Sequence, residues 1–168
     1  MGAKRYVIGC DPGTTAVGVC ALEDELDSGH GLKMLDTLLI RPDGQRHFRL
    51  FWVHEKLLAF FKKFSDRRLD IAVELMYMGN NPQTAIILGE ARGVVLAAAG
   101  AVRSARVFDQ QASVMKKVVA GHGGASKYQV AAAVSLKLKL QDLLPEDVAD
   151  AAGHAILHAT TYMKGSAQ

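Results

Sequence analysis

The hydrophobic pattern divides the chain into short apolar runs and longer helical stripes. Tyr6-Val7-Ile8-Gly9-Cys10 reads as a buried strand that ends at Asp11. Asp11-Pro12-Gly13-Thr14-Thr15 is a turn, and Ala16 to Leu22 reads as a second strand. The acidic stretch Glu23 to Asp27, with Ser28-Gly29, reads as a loop, and Leu32 to Ile40 as a third strand. Arg41-Pro42-Asp43-Gly44 is a strong turn signal. From His47 to Phe64 the apolar residues Phe48, Phe51, Trp52, Leu57, Leu58 and Phe61 fall at helical spacing, as in an amphipathic helix packed on a sheet. Leu69 to Leu75 is the next strand, with Glu74 near its end. Asn81 suits an N-cap and Pro82 the first position of a long helix, rich in small residues, that runs to about Ala99. Ala105 to Phe108 reads as a short strand, and Gln110 to Ala120 as a helix. After the glycine loop 121–124, Ser126 can cap a helix to about Leu140. Pro145 precedes a last helix from Glu146 to about Met163. Three strands, then helix, strand, helix, strand and further helices predict an α/β mixed sheet with helices on its faces.

Composition narrows the class. The 168 residues are 49% hydrophobic, enough for a core, and no repeat or composition shift marks a second domain. One domain over residues 1–168 is expected. Met1 to Tyr6 holds no apolar signal segment, and no apolar run approaches a membrane span, so a cytoplasmic protein is expected. Cys10 and Cys20 sit inside apolar runs and read as buried free thiols. The formal charge of +3 says little. Its distribution says more: residues 101–140 carry seven Lys or Arg against one acid, Asp109, while residues 141–168 carry four acids and one Lys. A basic strip beside a carboxylate cluster suits phosphates and metal; solvated helix faces are the plain alternative.

The placement of the acids adds chemistry. Asp11 ends one apolar strand and Glu74 another, while Asp147 and Asp150, three apart on a helix, share a face. Four carboxylates converging on one rim would repel and raise one another's pKa unless a cation lay between them. Such an oxygen-only set suits Mg²⁺ or Mn²⁺ and a two-metal phosphodiester cleavage. The spacing leaves alternatives open: Asp11 as a turn former, and Asp147 and Asp150 as an acidic first helical turn. Glu74 in Ile-Ala-Val-Glu-Leu is harder to explain without a partner.

Five segments then resemble the RuvC-type Holliday junction resolvases, in the same order. They are Ile8 to Thr14; Ile71 to Met78 with Asn80-Asn81; Leu88-Gly89-Glu90-Ala91-Arg92-Gly93; Val118 to Lys127; and Asp147-Val148-Ala149-Asp150-Ala151. The resemblance implies an RNase H-like fold with a five-stranded mixed sheet. It implies an endonuclease that cuts four-way junctions symmetrically, leaving a 5′-phosphate and a 3′-hydroxyl, with Asp11, Glu74, Asp147 and Asp150 holding two Mg²⁺ ions, Mn²⁺ being a possible substitute. It further implies Lys116 and Lys127 near the DNA backbone and Tyr77 stacked on bases at the junction centre. A C2 homodimer built on the helix after Pro82 and a branch-migration complex of the RuvA and RuvB type are the implied partners. Residues 23–68 match poorly, and the helix around Ser113 lacks an expected arginine. Arg92 is expected to hold the loop or a carboxylate rather than DNA. Glu146 competes with Asp147 as a ligand, and His154, four beyond Asp150, is expected to be structural. Other readings are a divergent branched-DNA nuclease, a YqgF-type RNase, or an actin-like ATP-binding protein, which shares the Asp11-Pro12-Gly13-Thr14 turn but needs about twice the length.

Overall fold

Continuous apolar runs such as residues 6–10 and 71–73 leave no polar side to turn outward, and the central strands that hold them are buried on both faces. A computed structural model describes residues 5–25, 31–76 and 81–161. Its elements are β1 (Arg5–Pro12), β2 (Val17–Glu25), β3 (Gly31–Ile40), α1 (Arg46–Lys62), β4 (Leu69–Glu74), α2 (Pro82–Gly100), β5 (Ala105–Gln110), α3 (Ala112–Ala120), α4 (Lys127–Leu138) and α5 (Glu146–Thr161). Among the described residues the strands form one five-stranded sheet in the order β3-β2-β1-β4-β5. The β1–β2 and β2–β3 pairs are antiparallel, and β1–β4 and β4–β5 are parallel. The α/β mixed sheet expected from the sequence is present.

Strand periodicity sorts the side chains onto two faces. Ile8, Cys10, Val19, Ile71 and Val73 pack beneath α1 and α2. Val7, Cys20 and Leu22 pack with Met115, Val130, Ala151 and Ala155 of α3, α4 and α5. Both cysteines are free and buried, as expected, and burial pushes the Cys20 thiol up to about 12. The same alternation puts Gly9 and Asp11 of β1, Asp70 and Glu74 of β4, and Arg106 and Gln110 of β5 on the α5 side.

Helix α5 lies unusually close to the sheet. A Cβ at Gly9 would fall 1.8 Å from the Ala151 carbonyl oxygen, and one at Gly18 would fall 1.9 Å from that of Asp147. Helix backbone therefore rests on strand backbone, which only glycine allows. The alanines of α5 are buried from Ala149 to Ala159 along the same contact.

The capping signals are realised. The Asn81 side chain accepts from the Gln83 and Thr84 backbone N–H groups, and Ser126 forms a reciprocal capping box with Gln129. Three expectations need correction. β2 runs on through Glu23 and Asp24 to Glu25, because these residues pair with β3; the rest of the expected loop, 26–30, lies outside the described residues, as do Met163 and Tyr77. Gln110 closes β5 instead of opening a helix, since its carbonyl accepts from Leu75 N–H across the strand pair. The aromatic stripe of α1 does not pack as one. Val53, Leu57, Phe60 and Phe61 are buried, while Phe48, Phe51 and Trp52 are exposed. At 100° per residue the latter three point away from the former four.

Candidate active site

The parallel strands β1 and β4 end at the same rim. Asp11 lies one position past the Cys10–Val73 register pair, which sets it beside Glu74. The first turn of α5 crosses this rim, because Gly18, the register partner of Asp11, admits the Asp147 backbone. Asp147 and Asp150 thus approach from the helix and Asp11 and Glu74 from the sheet.

The Asp11 and Asp150 carboxyls both feel the charge of their acidic neighbours. Burial, then the charges of Glu74, Asp150 and Asp147, push the Asp11 carboxyl up to about 8, with Lys127 pulling the other way. Asp150, 8% exposed, is also raised, by burial first, with Glu74 adding to it and Lys127 and Lys116 opposing. Partial burial works against the Lys127 ammonium, but Asp147, Asp150, Glu146 and Asp11 outweigh it and hold its pKa above the ordinary value. Lys127 Nζ lies 3.6 Å from Asp147 Oδ1 and 3.6 Å from Glu146 Oε2. The expected acids and both expected lysines are therefore gathered at one rim.

These residues suit a hard divalent cation by their chemistry. The donors are carboxylate oxygens, half-buried at Asp11, Glu74 and Asp147 and buried at Asp150, whose Oδ1 has no hydrogen-bond partner among the described residues. Among those residues no three acid, histidine or cysteine side chains already stand at ion-holding spacing. Glu146 is mostly exposed and turned to Lys127, which sets it apart from the buried Asp150.

The surroundings hold residues that sequence reading undervalued. His154 is fully buried, with Nε2 3.3 Å from Glu74 Oε2 and Nδ1 3.1 Å from Gln110 Oε1. At the far end of β4, Asp70 is bound by the Arg106 guanidinium at 2.8 and 2.9 Å and by His158 Nε2 at 2.9 Å. The one available signal was the spacing Asp150, His154, His158, a polar stripe along an otherwise apolar helix. Arg92 pairs with Asp109, as expected of a residue holding a carboxylate.

A mixed sheet of this topology with acids gathered at one rim is the build of an RNase H-like nuclease, and comparison with known proteins places the chain in that class. The family model described as crossover junction endodeoxyribonuclease RuvC matches residues 7–158. The protein of that name from Chloroflexus aurantiacus (strain ATCC 29366 / DSM 635 / J-10-fl) is 38% identical over 92% of each chain. The one from Psychrobacter sp. (strain PRwf-1) is 35% identical over 91% of this chain and 79% of its own length. Among solved structures, Thermus thermophilus RuvC superposes with a TM-score of 0.80 at 29% identity, covering 95% of this chain and 96% of that one. The same protein in complex with a Holliday junction substrate gives 0.81 at 25% identity, covering 96% and 97%. The chain belongs to the RuvC family of crossover junction endodeoxyribonucleases. It is one of that family's divalent-metal-dependent enzymes of DNA recombination and repair.

Proposed function

We propose that Asp11, Glu74, Asp147 and Asp150 are the groups with which this chain resolves four-way DNA junctions, holding two Mg²⁺ ions or, in substitution, Mn²⁺. The observation that carries the reading is the convergence of Asp11 and Glu74, at adjacent strand ends, with Asp147 and Asp150 of the helix turn seated on Gly18; the Asp11 carboxyl, raised to about 8 by burial and these three acids, reflects it. A cluster that disfavours its own charge to this degree is one that a divalent cation relieves. When bound, such ions supply the charge that activates a water and stabilises the departing oxygen in phosphodiester hydrolysis.

The remaining work belongs to the chain's own residues. Asp11 and Glu74, on adjacent strands, would hold one ion between them, and Asp147 and Asp150 would complete the site from the helix. Lys127 and Lys116, which bear on Asp150, lower the repulsion that a polyanion meets at an acidic rim. Tyr77 is assigned to stacking on an unpaired base at the junction centre, a contact of about 1–3 kcal/mol. Two strands must be cut symmetrically, and a C2 homodimer presents two such sites. Exposed Ile86 and Ile87 on α2 support that helix as the contact. A branch-migration complex of the RuvA and RuvB type and a cytoplasmic location complete the reading, and no helix of the described residues is long and apolar enough to cross a membrane.

The test is cleavage of a synthetic four-way junction beside a linear duplex, each with Mg²⁺, with Mn²⁺ and with EDTA. Paired nicks on the junction alone, lost in EDTA, are expected. Equal cutting of both substrates, or none with either metal, would overturn the reading.

A further inference from the structure

Helix α5 is buried from Val148 to Ala159, yet Asp150, His154 and His158 recur along it at steps of four. Both imidazoles are within 1% of complete burial. Polar rings in such a place are costly unless hydrogen-bonded, so their partners show what they are for.

His154 bridges the ends of two neighbouring strands. Glu74 and Gln110 are direct register partners in the parallel β4–β5 pair, and the ring lies between them, Nε2 toward Glu74 Oε2 and Nδ1 toward Gln110 Oε1. Four residues earlier on each strand, and four later on the helix, the arrangement recurs. Asp70 and Arg106 are register partners, and His158 Nε2 meets the Asp70 carboxylate. The strand that carries Glu74 is thus tied to the helix that carries Asp147 and Asp150 at both of its ends. His158 and Asp70 already anchor β4 to α5, which leaves the His154 contact to act on the Glu74 side chain itself.

A neutral imidazole has one donor and one acceptor. If Nε2–H donates to Glu74, then Nδ1 must accept, and the Gln110 amide supplies a donor when its NH₂ group faces the ring. Amide orientation is assigned from such networks, since the two ends are nearly isosteric. In that orientation Gln110 Nε2 donates to the ring and Oε1 takes the buried place that Nε2 otherwise holds without a partner. Gln110 then fixes the tautomer of His154, and the tautomer presents its N–H to Glu74. Both ring nitrogens are engaged, so the ring's one lone pair is directed at Gln110 and not at the carboxylate cluster.

We propose that His154 is a positioning residue. Backed by Gln110, it holds one Glu74 oxygen through Nε2–H and so turns the other toward the cation shared with Asp11. This inference rests on Glu74 being a metal ligand. Outer hydrogen bonds of this kind commonly govern metal affinity by a factor of about 10–100.

The experiment is Mn²⁺ titration of the full chain, followed by the electron paramagnetic resonance of the free ion, with circular dichroism as the check on folding. His154→Leu is expected to bind Mn²⁺ on the order of 10–100-fold more weakly. Its metal-free junction affinity, read by fluorescence anisotropy, stays unchanged, and excess Mn²⁺ restores its cleavage. His154→Gln, which keeps an amide donor, is expected to recover most of the affinity, a rescue that mere filling of space would not produce. Wild-type affinity in His154→Leu overturns the proposal, as does nitrogen coordinated directly to Mn²⁺ in pulsed spectra of the wild type. If His154→Leu does not fold, Gln110→Leu decides, because it leaves the ring in place but frees its tautomer; unchanged Mn²⁺ affinity there overturns the proposal equally. Glu74→Gln separates the two readings. If it binds Mn²⁺ normally, the Glu74 assignment fails; if it binds weakly while His154→Leu does not, only the positioning role fails.

Discussion

At the scale of single residues, half-buried Asp11 and buried Asp70 make opposite predictions. Asp11 has its folded-state pKa raised from 3.8 to about 8, so without metal its contribution to stability is greatest below pH 4 and is lost as the pH rises through 8. Asp11→Asn is therefore expected to melt several degrees higher than wild type in EDTA at pH 8, to bind junctions normally and to cut at background level; melting curves and a gel assay check this. Asp70 is the reverse case. Burial pushes its carboxyl up, but the hydrogen bonds of His158 and Arg106 outweigh that and hold it below its ordinary value of 3.8. Its stability is present above that pH and lost as the pH falls below it. Asp70→Asn should cost about 3 kcal/mol at neutral pH and flatten the acid limb of a urea-denaturation profile. The difference in legibility between these acids is physical. Asp11 and Glu74 end apolar strands, where a bare charge needs an explanation, and that is visible locally. The partners of Asp70 lie 36 and 88 residues away, and no local pattern joins them. The same distance hid the contacts of His154.

At the scale of elements, the caps and strands were legible because their signals are short-range: Asn81 before Pro82, Ser126 three before Gln129, and continuous apolar runs. The split face of α1 was not, since Phe48, Phe51 and Trp52 satisfy helical spacing as well as Leu57 and Phe61 do, and only the position of the sheet separates them. The seat of α5 was equally hidden. Gly9 and Gly18 look like ordinary strand glycines until the helix backbone is laid over them. A methyl group at position 18 would meet the Asp147 carbonyl oxygen at 1.9 Å and lift the acidic turn off the rim. Gly18→Ala is expected to cost about 1–3 kcal/mol in stability and to depress cleavage severalfold while leaving every candidate ligand in place. Denaturant melts and single-turnover cleavage measure the two effects. Wild-type turnover would show that the seat is looser than the structure places it.

At the scale of the molecule, the sequence overstated how basic the working face is. Of the seven cations in the third quarter, Lys116 and Lys127 are the ones that bear on Asp150. Arg106 is spent on Asp70, and Lys137 and Lys139 lie at the other end of α4, about 15 Å along the helix from Lys127. Lys127→Ala should accordingly weaken junction binding and reduce the slope of log affinity against log salt by about one, as anisotropy over a salt series would show. An unchanged slope would remove Lys127 from the DNA face. The backbone-to-backbone seat of α5 also bears on how the protein breathes. A helix pressed on the sheet at Gly9 and Gly18 and pinned through His154 and His158 has no room to open alone. Its central amides are expected to exchange with deuterium only when the whole sheet does, at rates matching those of β1. Heating would then take the carboxylates apart in the same step that unfolds the sheet, and no sheet-intact, site-open form would accumulate along the way.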